Sequence, residues 1–298
     1  MHFFAYARSS LFDAMQGRSI CAHARSFAQF LYDWSTEKHD IMNDRTADAL
    51  DQGQYTLDEI RKYELIYGRN FISPGGSATA REILSLVTIT LNMNILDVGC
   101  GLGGAAFLLA KTFGARVHGI DLSRNMLQLA QARCQDIQLT HTVTFEHADI
   151  LRYERPAGFE LVHSRDVFLH IHDKVGLLDA IQRCLPPGGL LLFSDYLCGA
   201  GAKSADFAAY IRGREYDLHT LEEYRVLLEQ AGFEVLLAQD RTADFIVILE
   251  RELDQLAASQ IEASERAVLA QSWRDKLRRA HAGEQRWGVC LAKKCGNL

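Results

Sequence analysis

The stretch Ile95-Leu96-Asp97-Val98-Gly99-Cys100-Gly101-Leu102-Gly103-Gly104 decides how the rest of the chain reads. A short apolar run ends in clustered glycines, and a helical pattern starts directly behind them. Glycine lets a backbone turn tightly and lets its amides approach a ligand. Gly99, Gly101 and Gly104 also have the spacing of a dinucleotide-binding loop, so alone they leave a nicotinamide-dependent oxidoreductase open. Outward from this loop, apolar runs alternate with helical stretches. Ile95–Val98 precedes a helix over 103–112, Arg116–Ile120 a helix over 123–134, Val143–His147 a third connection, and Phe159–Ser164 a helix over 173–184. Leu190–Asp195 follows the turn Leu185-Pro186-Pro187-Gly188-Gly189. Alternation of this kind builds a parallel sheet with right-handed crossovers. Helices over 203–215 and 220–231 come next, then a long one over roughly 245–282. Two late apolar runs, Glu234–Ala238 and Val289–Lys293, flank that last helix and are expected as edge strands. The fold class expected is α/β, a doubly wound, mostly parallel sheet of seven strands. Upstream, Thr56 and Glu59 have the spacing of a capping box opening a helix over 56–69, and a second helix over 77–87 follows the loop Ser73-Pro74-Gly75-Gly76.

Three carboxylates narrow the ligand. Asp97 ends the first strand, where a negative group suits a cationic or amine-bearing ligand and repels a pyrophosphate. Asp121 ends the second strand about 20 residues past the glycines, placed to accept from both ribose hydroxyls. Asp149-Ile150 ends the third, where a carboxylate can take an adenine amine and an apolar neighbour can cover the ring. Carboxylates ending three successive strands resemble the class I S-adenosylmethionine methyltransferases. After strand four, Arg165-Asp166-Val167-Phe168-Leu169-His170 puts an Asp and a His four apart at the ligand edge of the sheet. The residues alone leave this pair between an amine partner with a base and an ordinary cap with a packed histidine.

The composition suits one globular domain. The chain has 298 residues, 48% of them hydrophobic and 23% charged, with four prolines. A net charge of -6 argues against a broad polyanion-binding surface. No basic stripe is present and no Asn/Asp-Pro-Pro-Tyr element follows strand four, so nucleic acid is not expected as a partner. No apolar run reaches the roughly 20 residues that span a bilayer. Seven irregularly spaced cysteines read as reduced thiols, which points to a cytoplasmic protein. His170 and His172 are the wrong spacing for one cation, and no metal is expected. Residues 1–41, with Arg8, Arg18 and Arg25 before few acids, are expected to be an extension or upstream sequence before Met42 rather than a targeting segment.

Several stretches resemble the phosphoethanolamine N-methyltransferase family. They are Gln54-Tyr55-Thr56, Ile72-Ser73-Pro74-Gly75-Gly76, Leu96 to Gly104, His118-Gly119-Ile120-Asp121, Ser164-Arg165-Asp166 with Leu169-His170, Asp195-Tyr196, Tyr210 to Tyr216, and Gln285-Arg286-Trp287-Gly288. The glycine and aspartate motifs are shared with many methyltransferases. The Gln-Tyr-Thr start, the Tyr-x-x-x-Arg-x-Tyr segment and the Gln-Arg-Trp-Gly end are far more specific. Pro74 departs from the pattern in a loop that tolerates it. The resemblance implies stepwise methylation of phosphoethanolamine to phosphocholine with S-adenosylmethionine. It implies a catalytic pair of Tyr55 and His170 closing over the acceptor, with Asp166 on the amine. It implies donor contacts from Ser73, Gly99, Asp121, Leu122, Asp149, Ile150 and Arg165, beside Asp97 and Gly101 of the glycine loop. It implies phosphate contacts from Tyr196, Tyr210, Arg214, Tyr216 and Lys276, and an acceptor pocket lined by Gln54, Tyr63 and Ile72.

The chemistry agrees with that implication. A phosphomonoester carries close to two negative charges and needs cations and hydroxyl donors together. Tyr210 and Arg214 share a helical face, Tyr216 follows them, and Lys276 can arrive from the C-terminal helix. The expected organisation is a single methyltransferase domain over 42–298. A helical lid would span 52–90, the nucleotide-binding core 91–200, and the acceptor-site helices and late strands 201–298. The expected partner is a small molecule, and the expected state a monomer. The rival readings are a same-fold N-methyltransferase of another small amine or amino acid, the oxidoreductase, which Asp97 disfavours, and a catalytically dead S-adenosylmethionine-binding protein, which the intact Tyr55, Asp166 and His170 set disfavours.

Overall fold

Seven strands bond into one sheet in the computed structural model, which describes residues 48–296. They are β1 (Asn94–Val98), β2 (Arg116–Asp121), β3 (Val143–His147), β4 (Leu161–Arg165), β5 (Leu190–Cys198), β6 (Phe233–Asp240) and β7 (Gln285–Lys294). Their order is β3-β2-β1-β4-β5-β7-β6. β1 to β5 pair in parallel, and β7 runs antiparallel to both β5 and β6. The expected extension at residues 1–41 lies outside the described residues.

Successive side chains on a strand face opposite sides, and the two apolar layers follow from that. Ile95, Leu161 and Leu192 point to one face and join Ile83, Leu84, Leu109, Phe245, Leu249 and Trp287. Leu96, Val162 and Leu191 point to the other and join Leu177, Ile181, Tyr224 and Leu228. The covering helices are α1 (Leu57–Tyr67), α2 (Gly76–Leu84), α3 (Gly104–Phe113), α4 (Arg124–Asp136), α5 (Lys174–Cys184), α6 (Ala205–Arg214), α7 (Leu221–Gln230), α8 (Thr242–Ala258) and α9 (Ala263–His281). No helix among the described residues is long and apolar enough to cross a membrane.

Three expectations change in detail. The run at 289–293 is not an edge strand: it belongs to β7, which is inserted between β5 and β6, so of the two late runs β6 alone is at an edge. The physical reason is visible in its burial. Trp287 through Ala292 are all buried, as a strand covered on both faces requires. The long helix expected over 245–282 is two, broken after Ala258, where Ser259 turns extended and Glu262 caps α9 by accepting from the Ser264 amide. At α1 the Thr56 hydroxyl accepts from the Glu59 amide at 3.2 Å, but the Glu59 carboxylate bonds Lys62, so the box is half-formed. A complete box opens α7 instead, between Thr220 and Glu223.

Because β1 to β5 run in parallel, their carboxyl ends open on one edge of the sheet. The register sets Asp97 level with Gly119 on β2 and His163 on β4.

Candidate active site

The loop after β1 folds back on β2. The amides of Gly99 and Cys100 donate to the Ile120 carbonyl at 2.8 and 3.0 Å. Gly99 has φ 67°, and a methyl group there would sit 2.3 Å from a methyl of Val167. Only glycine satisfies both the positive φ and that approach. The Gly101 amide donates to Asp121 Oδ2 and the Ser123 amide to Oδ1, each at 2.8 Å. Each oxygen keeps a lone pair for a further donor. Burial pushes the Asp121 carboxyl up, opposed by these two amides.

Asp97 points one oxygen at His163 Nδ1, 2.7 Å away, while its Oδ2 is buried with no partner. An orphaned buried carboxylate oxygen is costly unless a ligand supplies a donor. The glycine cradle, the Asp121 acceptors and this oxygen together fit an amine-bearing nucleoside. Asp149 caps the turn Ile150–Arg152 by accepting from the Leu151 amide, and Ile150 is buried at its base. The Leu122 carbonyl accepts from His147 Nε2 at 3.0 Å.

Arg165 has a role that its place in the sequence does not show. Its guanidinium donates to the carbonyls of Pro74 and Gly76 at 2.9 and 3.1 Å. It therefore shapes the loop that carries Ser73. The same loop is held from the far side by Glu252, which accepts from the Gly75 amide at 2.7 Å and from Trp273 Nε1 at 2.8 Å. Ile72, just before the loop, lies against Gly101, so the expected acceptor pocket borders the glycine loop.

Asp166 sits just past β4 with φ 57°. Its Oδ1 accepts from Trp287 Nε1 at 2.7 Å and from the Ser194 hydroxyl at 3.0 Å, and its Oδ2 is buried and unpartnered. The carboxylate is thus rigidly aimed, with one oxygen left for a cation. Trp287 carries no local signal for this role beyond its Gln-Arg-Trp-Gly motif, and Ser194 carries none. Their function depends on β7 and β5 pairing beside β4.

The residues expected at the acceptor end fall into two groups, one at His170 and one at Lys276. The His170 ring packs edge-on against Tyr216, with centroids 5.1 Å apart, and Tyr216 packs against Tyr210 at 5.8 Å. Arg214 is exposed at the end of α6, and its charge opposes the upward push of burial on the Tyr63 hydroxyl. Lys276 is buried, its ammonium 3.4 Å from the Tyr196 hydroxyl and over the Trp273 ring at 4.5 Å. Arg279 lies over the Tyr210 ring at 3.8 Å. Among the described residues neither Arg214 nor Lys276 forms an ion pair, although each acts electrostatically on the other. Burial, more than neighbouring cations, lowers Lys276 to about 8. Burial followed by Arg214 and Lys174 lowers His170 to about 4, so its imidazole is neutral at physiological pH. Burial pushes the hydroxyls of Tyr55, Tyr63, Tyr196 and Tyr216 up, which keeps them as proton donors.

One expected contact is not made. The Tyr55 hydroxyl takes a hydrogen bond from Gln54 Nε2 at 3.2 Å rather than pairing with His170, which faces Tyr216. Tyr55 nevertheless stands between the two ends of the site, where Asp121 and Tyr63 raise its pKa and Arg214 lowers it. The segment before it is pinned to the start of α4: Asp51 accepts from the Ser123 hydroxyl at 2.5 Å, and Asn125 Nδ2 donates to the Tyr55 carbonyl at 2.9 Å.

Comparison with known proteins agrees with this geometry. A methyltransferase-domain family matches residues 57–238. Phosphoethanolamine N-methyltransferase 3 of Arabidopsis thaliana is 39% identical over 269 residues, covering 88% of this chain and 54% of its own length. The chain therefore spans about half the length of that plant relative. The phosphoethanolamine N-methyltransferase of Plasmodium falciparum is 33% identical, covering 82% of this chain and 95% of its own. Among solved structures, phosphoethanolamine N-methyltransferase 2 of Haemonchus contortus, in complex with phosphomonomethylethanolamine and S-adenosylhomocysteine, superposes with a TM-score of 0.81. It is 34% identical, covering 84% of this chain and 60% of that one. With its class I strand order, its glycine loop and these relatives, the chain belongs to the phosphoethanolamine N-methyltransferase family.

Proposed function

We propose that the chain transfers methyl groups from S-adenosylmethionine to the nitrogen of phosphoethanolamine, and through its mono- and dimethyl forms to phosphocholine. The observation that carries this reading is the pairing of unmatched charges across one site. Asp166 offers a buried oxygen without a partner, and Lys276 and Arg214 offer cations without an ion pair. A zwitterion with an amine at one end and a phosphate at the other matches both. An acceptor lacking the anionic end leaves the buried ammonium uncompensated. That distinguishes it from a simple amine acceptor, and the near-double charge of a phosphate, against the single charge of an amino acid's carboxylate, answers both cations.

Gly99, Gly101, Asp97 and Asp121 would hold the donor, with Leu122, Asp149, Ile150 and the Ser73 loop shaped by Arg165 around them. When bound, it supplies an electrophilic methyl on a sulfonium. The chain's residues do the rest. A primary ammonium has a pKa of about 10, so a proton must leave before the nitrogen lone pair is free. His170, neutral at physiological pH, is the base. Arg214 depresses its basicity, and a phosphate bound at Arg214 cancels that field, so acceptor binding strengthens the base. Asp166 orients the nitrogen and stabilises the positive charge that develops on it. Tyr55 and Tyr63, with α1, form the lid over the acceptor and keep water out. The remaining rate gain is proximity and alignment.

The test is to incubate the chain with labelled S-adenosylmethionine and, separately, phosphoethanolamine, its mono- and dimethyl forms, ethanolamine and glycine, and to identify the products by mass. Methylation of the three phosphorylated amines, with ethanolamine about a hundredfold poorer or worse, is expected from the lost charge contacts. Equal turnover of ethanolamine would overturn the acceptor assignment.

A further inference from the structure

The turn that presents His170 is gripped through its backbone by groups outside the site. The Leu169 amide donates to Asp195 Oδ1 at 3.2 Å, and Asp195 Oδ2 accepts from the Tyr224 hydroxyl at 2.6 Å. The Leu169 carbonyl accepts from the Asp217 amide at 2.8 Å. Past the turn, the Ile171 carbonyl accepts from Lys174 Nζ at 2.5 Å. That ammonium is 4% exposed and spends its other protons on the Asp217 carbonyl at 3.1 Å and the Asp217 carboxylate at 2.9 Å. A lysine has three donors, and all three are used.

Asp217 directly follows Tyr216 and lies three residues beyond Arg214. We infer that Lys174 and Asp217 form a clip, buried at its ammonium end, that locks the segment Arg214–Tyr216 to the turn carrying His170, making both of them positioning residues for the base. The segment that reads the anionic end of the acceptor and the turn that holds the imidazole then move as one body. This rests on the proposed acceptor for its catalytic consequence, but not for its geometry.

Charge supports the geometry. The groups facing His170 from its surroundings are Arg214 at the end of α6, Lys174 at the start of α5 and the Tyr216 ring; Asp195 and Tyr224 lie beneath Leu169, and His219 stands 3.2 Å from the Asp217 carboxylate. Lys174 is one of the two cations that lower His170, and the Lys174 bond holds Asp217 below the usual carboxylate range. A phosphate neutralises Arg214 but not Lys174. In the loaded site burial, the largest cause, and the Lys174 charge still act together to keep the imidazole neutral.

Two variants test it, each read by NMR and by kinetics. Lys174→Met removes the charge and the clip. The His170 ring signals, assigned by their loss in His170→Gln, then titrate at higher pH, and the acid limb of kcat/KM moves up with them. Asp217→Asn keeps the ammonium but loosens the clip. The nuclear Overhauser contact between the His170 and Tyr216 rings weakens, kcat falls about tenfold through lost alignment, and the acid limb does not rise. Should Lys174→Met fail to fold, Asp217→Asn, at a half-exposed residue, carries the test alone. Undiminished ring contact in a folded Asp217→Asn, or an unmoved His170 titration in a folded Lys174→Met, overturns the inference. The NMR readouts need no acceptor. A chain inactive on phosphorylated amines but with these shifts would sink the acceptor assignment and leave the clip standing.

Discussion

In His170 and Lys276 one physical cause, burial, acts on the two groups proposed for opposite ends of the acceptor. Burial disfavours the charged form of each, so the imidazole stays a free base and the ammonium becomes easier to deprotonate. His170→Ala should lower kcat by roughly 10² to 10⁴, the usual worth of a positioned base. Donor affinity, measured by calorimetry, should change little, since the residue is not among the donor contacts. A matching loss of donor affinity would move His170 out of the base role. Lys276 is charged below about 8 and loses its proton above it. The KM for phosphoethanolamine should therefore rise as pH passes about 8, and Lys276→Met should show a high KM without that rise. A KM flat across this range in the parent chain would remove Lys276 from phosphate binding.

At the scale of elements, the glycine loop and the Ser73 loop are shaped by tight backbone contacts that tolerate little. Gly99→Ala adds a methyl into Val167 at a positive φ. A cost of about 1–3 kcal/mol is expected from the strained backbone alone, read as a fall in thermal stability and a weaker donor complex. An Ala variant with native melting and native donor binding would show that the loop is less constrained than its geometry implies. β7 matters in the same way. Trp287, 1% exposed, fills the layer beneath α8 and donates to Asp166. The expected edge strand would have left that carboxylate without its indole.

For the whole molecule, stability should depend on pH through His170. Its folded value of about 4 lies below the ordinary 6.5, so above pH 6.5 both folded and unfolded chains are neutral there. Between those values the unfolded chain binds a proton that the folded one does not, so stability falls as pH drops from 6.5 to 4. His170→Gln should flatten the loss of melting temperature over this window, and an unchanged slope would refute it. We propose that the chain is a monomer; light scattering at twice the 33.5 kDa chain mass would contradict it.

Local pattern is enough for the strand–helix alternation, the glycine loop and the carboxylates at the ends of β1 and β2, because periodicity and motif spacing are properties of neighbours in the chain. The family resemblance carries Tyr55, Lys276, the Tyr210–Tyr216 segment and the lid residues, whose roles no local rule reaches. Only tertiary structure decided where β7 inserts, that Trp287 aims Asp166 from 121 residues away, and that the His170 ring faces Tyr216. It alone decided that Arg165 serves the Ser73 loop and that Lys174 grips the turn before it. The reason is physical: strand insertion and the burial of a charge are determined by what packs against them, and those partners lie far along the chain.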